Sequence, residues 1–418
     1  MPVVLDPDDF DLSRWIRSGD TVIWGQANAE PLPLTQALMA QRARIGRFRV
    51  FLGIANHPTC TPEHADHVDF IAYIGTGANR ELDKAGLLEV LPCHYSHLPQ
   101  LIRSGRLRID VVLLQVAPAN AEGRYSLSMA CEYLLPALDS ARVVIAEVNR
   151  QAPWTYGERT LGVESFDAIL ETDRPPLESP ASQLRPLDRQ IGAHIAGLVE
   201  DGSTVQIGVG AIPDAALAAL GSHRDLGVHS GVISDGVMEL MRSGVVNNSR
   251  KGIDRGLSVG GVLIGSRALN DFVHQNPAIL MRSSEYTHAG DVLAGIERFV
   301  SINSAIEVDL TGQVNSEVVG GTYVGAVGGA LDFTKGAQRS HGGVPIIALP
   351  STAGSNSRIV TRMSGPVTIP RSEAGIIVTE FGAADLRGLT LRERARKMLE
   401  IAHPNHRARL EAEFFARV

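Results

Sequence analysis

Apolar positions in this chain come as short uninterrupted runs, TVIWG, VVLLQV, VVIAEV, TVQIG and PIIAL, each bounded by glycine, proline or polar turns. Runs of this length predict buried strands. The polar-patterned stretches between them are long enough for helices, so strands and helices alternate and the sheets are expected to be largely parallel. The two halves of the chain begin alike. SGDTVIWG (Ser18 to Gly25) and DGSTVQIG (Asp201 to Gly208) align without a gap, and each leads into a helix opened near a proline, Pro31 or Pro213. Proline suits a first helical turn because its missing N–H has no partner there in any case. Looser matches continue the pattern: VVLLQVAPANAEGRYS with SINSAIEVDLTGQVNS, and ARVVIAEVN with VPIIALPST. Between the halves, TDRPPLESPASQLRPLDR (Thr172 to Arg189) is rich in proline, serine and charge and reads as a linker.

The expected architecture is therefore α/β, with two similar open domains of mostly parallel sheet, residues 1–179 and 186–418. Ligands of such sheets sit beyond the carboxyl ends of the strands, which here points to the cleft between the domains. A chain of 418 residues also exceeds what one core usually supports.

Charge and cysteine content narrow the function. A net charge of −7 speaks against nonspecific binding to nucleic acid or an anionic membrane. Cys60, Cys93 and Cys131 show no paired spacing, so neither a disulfide framework nor a zinc knuckle is expected. The acidic start MPVVLDPDDFDLSRW lacks the apolar stretch of a signal peptide, and no apolar run reaches spanning length. The chain reads as soluble and cytoplasmic.

Several catalytic motifs are missing: GxSxG, HExxH and the GxxxxGK[ST] phosphate loop. In VQIGVGAIPDAALAAL, Pro213 stands where a dinucleotide fingerprint needs its third glycine, so NAD is not expected. The loop still offers backbone N–H groups at a helix start to an anion or a carbonyl oxygen; a tight structural turn is the alternative. A second glycine cluster, GGTYVGAVGGALDFTKGA, lets the backbone approach a ligand closely at Gly325, Gly328 and Gly329. Its N–H groups could form an oxyanion hole for a tetrahedral thioester adduct; a flexible surface loop is the alternative. In EHADHVD, His64 and His67 lack a third ligand, and a capped helix start with Thr61 and Pro62 accounts for the segment without a metal.

VGAIPDA, SDGVMELMRSGVVNNSRK, SINSAIEVDLTGQVNSE, GGALDF, SRIVTR and VTEFGAADLRGLTLRERARKMLEIAHP together resemble the acetyl-CoA hydrolase and 4-hydroxybutyrate CoA-transferase family, over nearly the whole chain. The resemblance implies a class I CoA-transferase fold that acts on acyl-CoA and small carboxylic acids, with coenzyme A as a substrate. It also implies no tightly bound cofactor and a homo-oligomer. The family's CoA contacts map onto Gly208, Val209, Gly210, Ala211 and Ile212, with Ile306 and Gly329 as further contacts; Gly328 joins them as part of the oxyanion turn. The implied chemistry is nucleophilic. A glutamate attacks the thioester, and the returning thiolate makes a glutamyl-CoA thioester that a second carboxylic acid accepts.

The family's glutamate follows an H-[ST] pair before a DG turn, where this chain reads HSGVISDG and carries Gly231. Glycine cannot hold an acyl group. Three readings follow: another carboxylate has taken over, water attacks directly as in a thioesterase, or the chain binds CoA without catalysis. CTPEHADHVDFIAYIGTG is similar to a branch that contains itaconate CoA-transferases, which implies a glutamate in the first domain. Glu63 is the expected replacement, because RVFLGIAN resembles LGVHSGVI as the corresponding strand and Glu63 follows it. Glu30 and Glu307 are its rivals, and a first-turn glutamate favouring the helix dipole is its plain structural alternative. Arg282, Arg339 or Arg358 could recognise the second carboxylate of a succinate-like or itaconate-like acid; a surface or salt-bridged arginine is the commoner alternative for each.

Overall fold

In the computed structural model, which describes residues 1–7, 9–179 and 182–416, the apolar runs become strands of two sheets. The first sheet has eight strands: β1 (Val3–Val4), β2 (Thr21–Trp24), β3 (Phe48–Leu52), β4 (Val68–Ala72), β5 (Leu88–Val90), β6 (Val111–Val116), β7 (Val143–Asn149) and β8 (Ala168–Thr172). Their order is β1-β8-β7-β6-β2-β3-β4-β5, and every pairing is parallel. The second sheet has six: β9 (Thr204–Ile207), β10 (Gly227–Val228), β11 (Phe299–Ser304), β12 (Val344–Ala348), β13 (Ile376–Thr379) and β14 (Gly382–Asp385). Their order is β10-β9-β11-β12-β13-β14, parallel except for the last pair.

The internal likeness of the halves extends to topology. Strands β3-β2-β6-β7-β8 of the first sheet and β10-β9-β11-β12-β13 of the second follow one order. The segments alike in sequence, β2 with β9, β6 with β11 and β7 with β12, hold equivalent places in it.

Parallel strands bury both faces, so alternate residues of one strand enter different cores. In the first sheet Val22, Trp24, Val50, Leu52 and Leu113 point to a core shared with the helix α1 (Leu32–Ala40). Ile23, Phe51, Val112 and Leu114 point the other way. The second sheet behaves alike: Ile347 and Ile377 face its own outer core, while Val205, Ile207, Ile346 and Val378 join the cluster that holds Ile23 and Phe51. One apolar layer thus runs from sheet to sheet. The helices α2 (Leu134–Ser140), α3 (Pro186–Ala196) and α4 (Ala211–Ala219) supply Leu134, Ile191, Ile195 and Ala216 to it.

The connecting segment is bound down at several points. Helix α3 already begins at Pro186, so the expected linker is shorter at its far end; Pro180 and Ala181 lie outside the described residues. Arg174 donates from Nε and Nη2 to the two oxygens of Glu147 at 2.7 and 2.8 Å. The Ser179 amide donates to Gly265 O at 3.0 Å, and its hydroxyl to Asn28 Oδ1 at 2.8 Å. No helix among the described residues is long and apolar enough to cross a membrane.

Glu147 is fully buried and its arginine partner largely so. Removing Arg174 would strand a buried carboxylate, a change that typically costs 3–5 kcal/mol. Arg174→Ala is expected to lower the unfolding free energy by about that much in urea titration. An unchanged midpoint would show that the segment is not anchored through this pair.

Candidate active site

Because both sheets share a core, the carboxyl ends of β2, β3 and β4 come to face those of β9 and β11. There a cavity of about 150 Å³ is lined by Gln26, Tyr73, Tyr95 and Glu132 from the first half and by Gly208, Gly231, His288, Asn303, Gly329 and Phe333 from the second. An adjoining cavity of about 320 Å³ shares Ile54, Gly208 and Val232 with it and is walled by Val209, Gly210, Asn56 and Ser234.

Glu132 follows the buried Cys131 and precedes Tyr133, which caps α2, and it is buried itself. Its orientation is fixed by Gln26, just past β2. The Ile54 amide can only donate, so the oxygen that accepts from it at 2.9 Å is the amide oxygen of Gln26, which also accepts from Tyr73 Oη at 2.7 Å. The Gln26 Nε2 must then face the other way, where it donates to Glu132 Oε2 at 2.6 Å and to Tyr95 Oη at 3.0 Å. Tyr95 in turn donates its hydroxyl to the same Oε2. The second oxygen, Oε1, is buried and has no hydrogen-bond partner among the described residues. Burial drives the Glu132 carboxyl up to about 8, against the opposing pull of Tyr95 and Gln26.

Backbone without side chains makes this arrangement possible. A Cβ at Gly53 would stand 2.5 Å from Gln26 Oε1 and 2.7 Å from Tyr133 Oη. Ala27 adopts φ 53°, a left-handed conformation uncommon for alanine, as the chain turns under Gln26.

His288 forms part of the opposite wall, between Tyr95 and Phe333, with ring centroids 4.9 and 4.4 Å away. Burial lowers it to about 3, so the ring is neutral at physiological pH. Thr287 Oγ1 donates to Ser283 O at 3.2 Å, so His288 Nδ1 donates to Thr287 Oγ1 at 2.8 Å and Nε2 is left as an acceptor. A Cβ at Gly329 would lie 2.6 Å from His288 Nε2, and one at Gly231 would lie 3.1 Å from Cε1. Gly328 is tied to the first half, its carbonyl accepting from the Tyr95 amide at 3.0 Å.

The expected residues divide. Gly208, Gly328 and Gly329 line the smaller cavity, and Gly208, Val209 and Gly210 the adjoining one. Ala211 opens α4, and the Ile212 side chain belongs to the shared core. Ile306 donates its amide to Asn315 O at 2.8 Å and lines neither cavity.

Glu63 is not brought to the cleft. It lies in a short 3-10 turn, Pro62–Asp66, immediately before β4. Since β4 runs parallel to β3 in the register Phe48↔Val68, the chain leaving β3 must return to the amino edge of the sheet before β4 can start. Glu63 therefore sits at the edge opposite to the cleft, its side chain 76% exposed, accepting from Thr61 Oγ1 at 3.2 Å. Its rivals are held by neighbours: Glu30 accepts from Thr35 and Thr59, and Glu307 from the Ser364 and Gly365 amides. Among the described residues no three His, Cys, Asp or Glu side chains cluster as metal ligands. Glu132 escaped the sequence reading because one acid ahead of a helix looks like a first-turn residue. The available signal was its setting in MACEYLLP, apolar on both sides.

Models of the acetyl-CoA hydrolase/transferase N-terminal domain and C-terminal domain match residues 10–177 and 265–414. The 4-hydroxybutyrate coenzyme A transferase of Clostridium kluyveri is 40% identical over 405 residues, which is 96% of this chain and 94% of that one. The succinyl-CoA:cyclohexane-1-carboxylate CoA transferase of Geobacter metallireducens is 34% identical over 403 residues, 94% of this chain and 91% of that one. The crystal structure of RipA from Yersinia pestis superposes with a TM-score of 0.93 at 35% identity, covering 100% of this chain and 98% of that one.

The buried groups dictate a pH profile of stability. Above pH 4.5 the unfolded chain releases a proton that folded Glu132 keeps until about 8, so Glu132 makes stability fall as pH rises through that window. Below pH 6.5 the unfolded chain protonates His229 and His288, which burial holds at about 3 when folded, so these two make stability fall as pH drops. Two histidines outweigh one carboxyl where the windows overlap. Stability is expected to peak near neutrality and to decline between about 6.5 and 8, by at most about 1.4 kcal/mol per pH unit. Urea midpoints of Glu132→Gln should lack most of that decline; a profile identical to the native chain's would contradict this reading.

Proposed function

The chain belongs to the acetyl-CoA hydrolase/transferase family, and from that premise we propose that it is an acyl-CoA:carboxylate CoA-transferase, moving CoA between small carboxylic acids through a glutamyl-CoA thioester. The observation that carries the reading is the meeting of two glycine turns and a buried carboxylate around one small cavity. A thioester is already activated, so exchange needs a nucleophile, donors for the oxyanion and exclusion of water, but no net proton transfer. In this reading the thioester carbonyl lies against the Gly328–Gly329 turn, at the start of the helix α5 (Ala330–Arg339), where backbone N–H groups favour developing negative charge. The pantetheine arm passes the Gly208–Gly210 turn through the adjoining cavity.

The smaller cavity has roughly the room of one benzene-sized molecule, which suits short acyl groups. Its wall of tyrosine, glutamine, asparagine, phenylalanine and glycine, with a carboxyl among them, favours acids whose chain carries no second charge. The dicarboxylate alternative finds less support. Arg282 is engaged by Glu158 at 2.8 Å and stacks on Tyr286, and Arg339 pairs with Asp291 at 3.2 Å. Succinate-like or itaconate-like acids would then depend on Arg358, which is half buried.

Mixing the protein with acetyl-CoA and butyrate or succinate, and following CoA esters and free thiol together, tests the assignment. Exchange into butyryl-CoA is expected to outpace thiol release, with succinate the poorer acceptor. Steady thiol release without exchange would favour the hydrolase reading, and neither activity would leave a CoA-binding protein.

Gly329→Val would drive its side chain into the His288 ring and displace the oxyanion turn. A fall in kcat/KM for acyl-CoA of about 10²–10³-fold is expected, the range for losing one such donor. Unchanged kinetics in a folded variant would remove this turn from the site.

A further inference from the structure

We propose that Glu132 is the nucleophilic carboxylate, occupying from the first half of the chain the role that Gly231 cannot fill from the second. The proposal rests on the transferase reading and names the residue that would carry the CoA.

Three observations support it. The first is hydrogen bonding. Buried carboxylates that serve the fold are satisfied, as Glu147 is by Arg174 and Thr172 and Glu307 by Ser364 and Gly365. Among the described residues, Glu132 Oε1 is the one carboxylate oxygen that is buried with no partner. An unsatisfied buried oxygen is costly, and such exceptions ask for a reason. Here Oε2 is held by Gln26 and Tyr95 while its twin is left to react.

The second is location. Glu132 and Gly231 line the same cavity and flank Gly261. The Gly261 amide donates to Gly231 O at 3.0 Å, and a Cβ on Gly261 would stand 3.7 Å from Glu132 Cγ. A carboxylate on either side of Gly261 thus opens on one space.

The third is mechanical linkage. Tyr95 clamps Glu132 through its hydroxyl and grips Gly328 O through its amide, so one residue fixes both the nucleophile and the oxyanion turn.

The steps balance without a co-reactant. Burial holds the Glu132 carboxyl at about 8, so it first gives up its proton to solvent. The ionised Oε1 then attacks the acyl carbonyl, the C–S bond breaks, and CoA leaves as thiolate from an acyl-glutamyl anhydride. The thiolate attacks the Glu132 carbonyl carbon, the anhydride C–O bond breaks, and the first carboxylate departs. The acceptor carboxylate repeats the sequence in reverse, regenerating the Glu132 carboxylate.

The test is to incubate the native protein with acetyl-CoA, reduce it with borohydride, and map the peptides. A glutamyl thioester is reduced to an alcohol, and the modification is expected on Glu132. Glu132→Gln, with an unaltered circular dichroism spectrum and cooperative thermal unfolding, is expected to lose exchange by about 10³-fold or more and to show no modification. Modification of another carboxylate would overturn this inference and leave the transferase reading intact, as would near-native exchange by a folded Glu132→Gln. Hydrolysis with no modification anywhere would overturn both.

Discussion

The apolar layer shared by the two sheets is the constraint from which the rest follows. Ile23, Phe51 and Val112 on one side and Val205, Ile207, Ile346 and Val378 on the other form a single cluster. Each such side chain contributes about 1.5–3 kcal/mol when fully buried. Sliding one sheet past the other would expose several at once. The carboxyl edges are therefore held facing each other, and residues far apart in sequence, such as Gln26, Glu132, Gly231 and Gly329, are held within one small volume.

That volume is built at some cost to the fold. It contains a carboxyl lifted to about 8 by burial and a neutral histidine held near 3, and the turn under Gln26 holds Ala27 at φ 53°. Unfavourable groups of this kind persist where the surrounding structure over-determines them. The determining contacts here are the Gln26 amide, whose orientation is dictated by the Ile54 N–H, and the close approach permitted by Gly53. A neutral His288 also suits the proposed chemistry, since a cation there would pair with the carboxylate and blunt it.

The duplicated topology offers a way to understand Gly231. Thr21 pairs with Arg49 in the first sheet as Thr204 pairs with Gly227 in the second. Counting on from those registers makes Gly53 the counterpart of Gly231. Neither half places a side chain at that point, and in both the space is used by a neighbour: Gln26 beside Gly53, His288 beside Gly231. In the proposed scheme exchange requires that a carboxylate and not water attack the enzyme thioester, so enclosure by these neighbours bears directly on the outcome.

Sequence alone determined the α/β class, the two related halves, the parallel pairing and the glycine turns at Gly208 and Gly329, because these depend on runs of apolar residues and on local backbone needs. It also exposed the gap at Gly231, since one residue type is incompatible with the chemistry. The carboxylate it pointed to, Glu63, does not reach the cleft. Proximity in sequence to the end of β3 put Glu63 at the cleft, but a parallel crossover carries the chain back to the opposite edge of the sheet before the next strand. Glu132, by contrast, is adjacent in sequence to none of the other residues of the site. Its neighbours there are Gln26 just past β2, Tyr95 beyond β5 and Gly261 in the second half. Only the packing of one sheet on the other brings them together, because contacts between distant segments are set by which faces share a core and not by anything written locally in the chain.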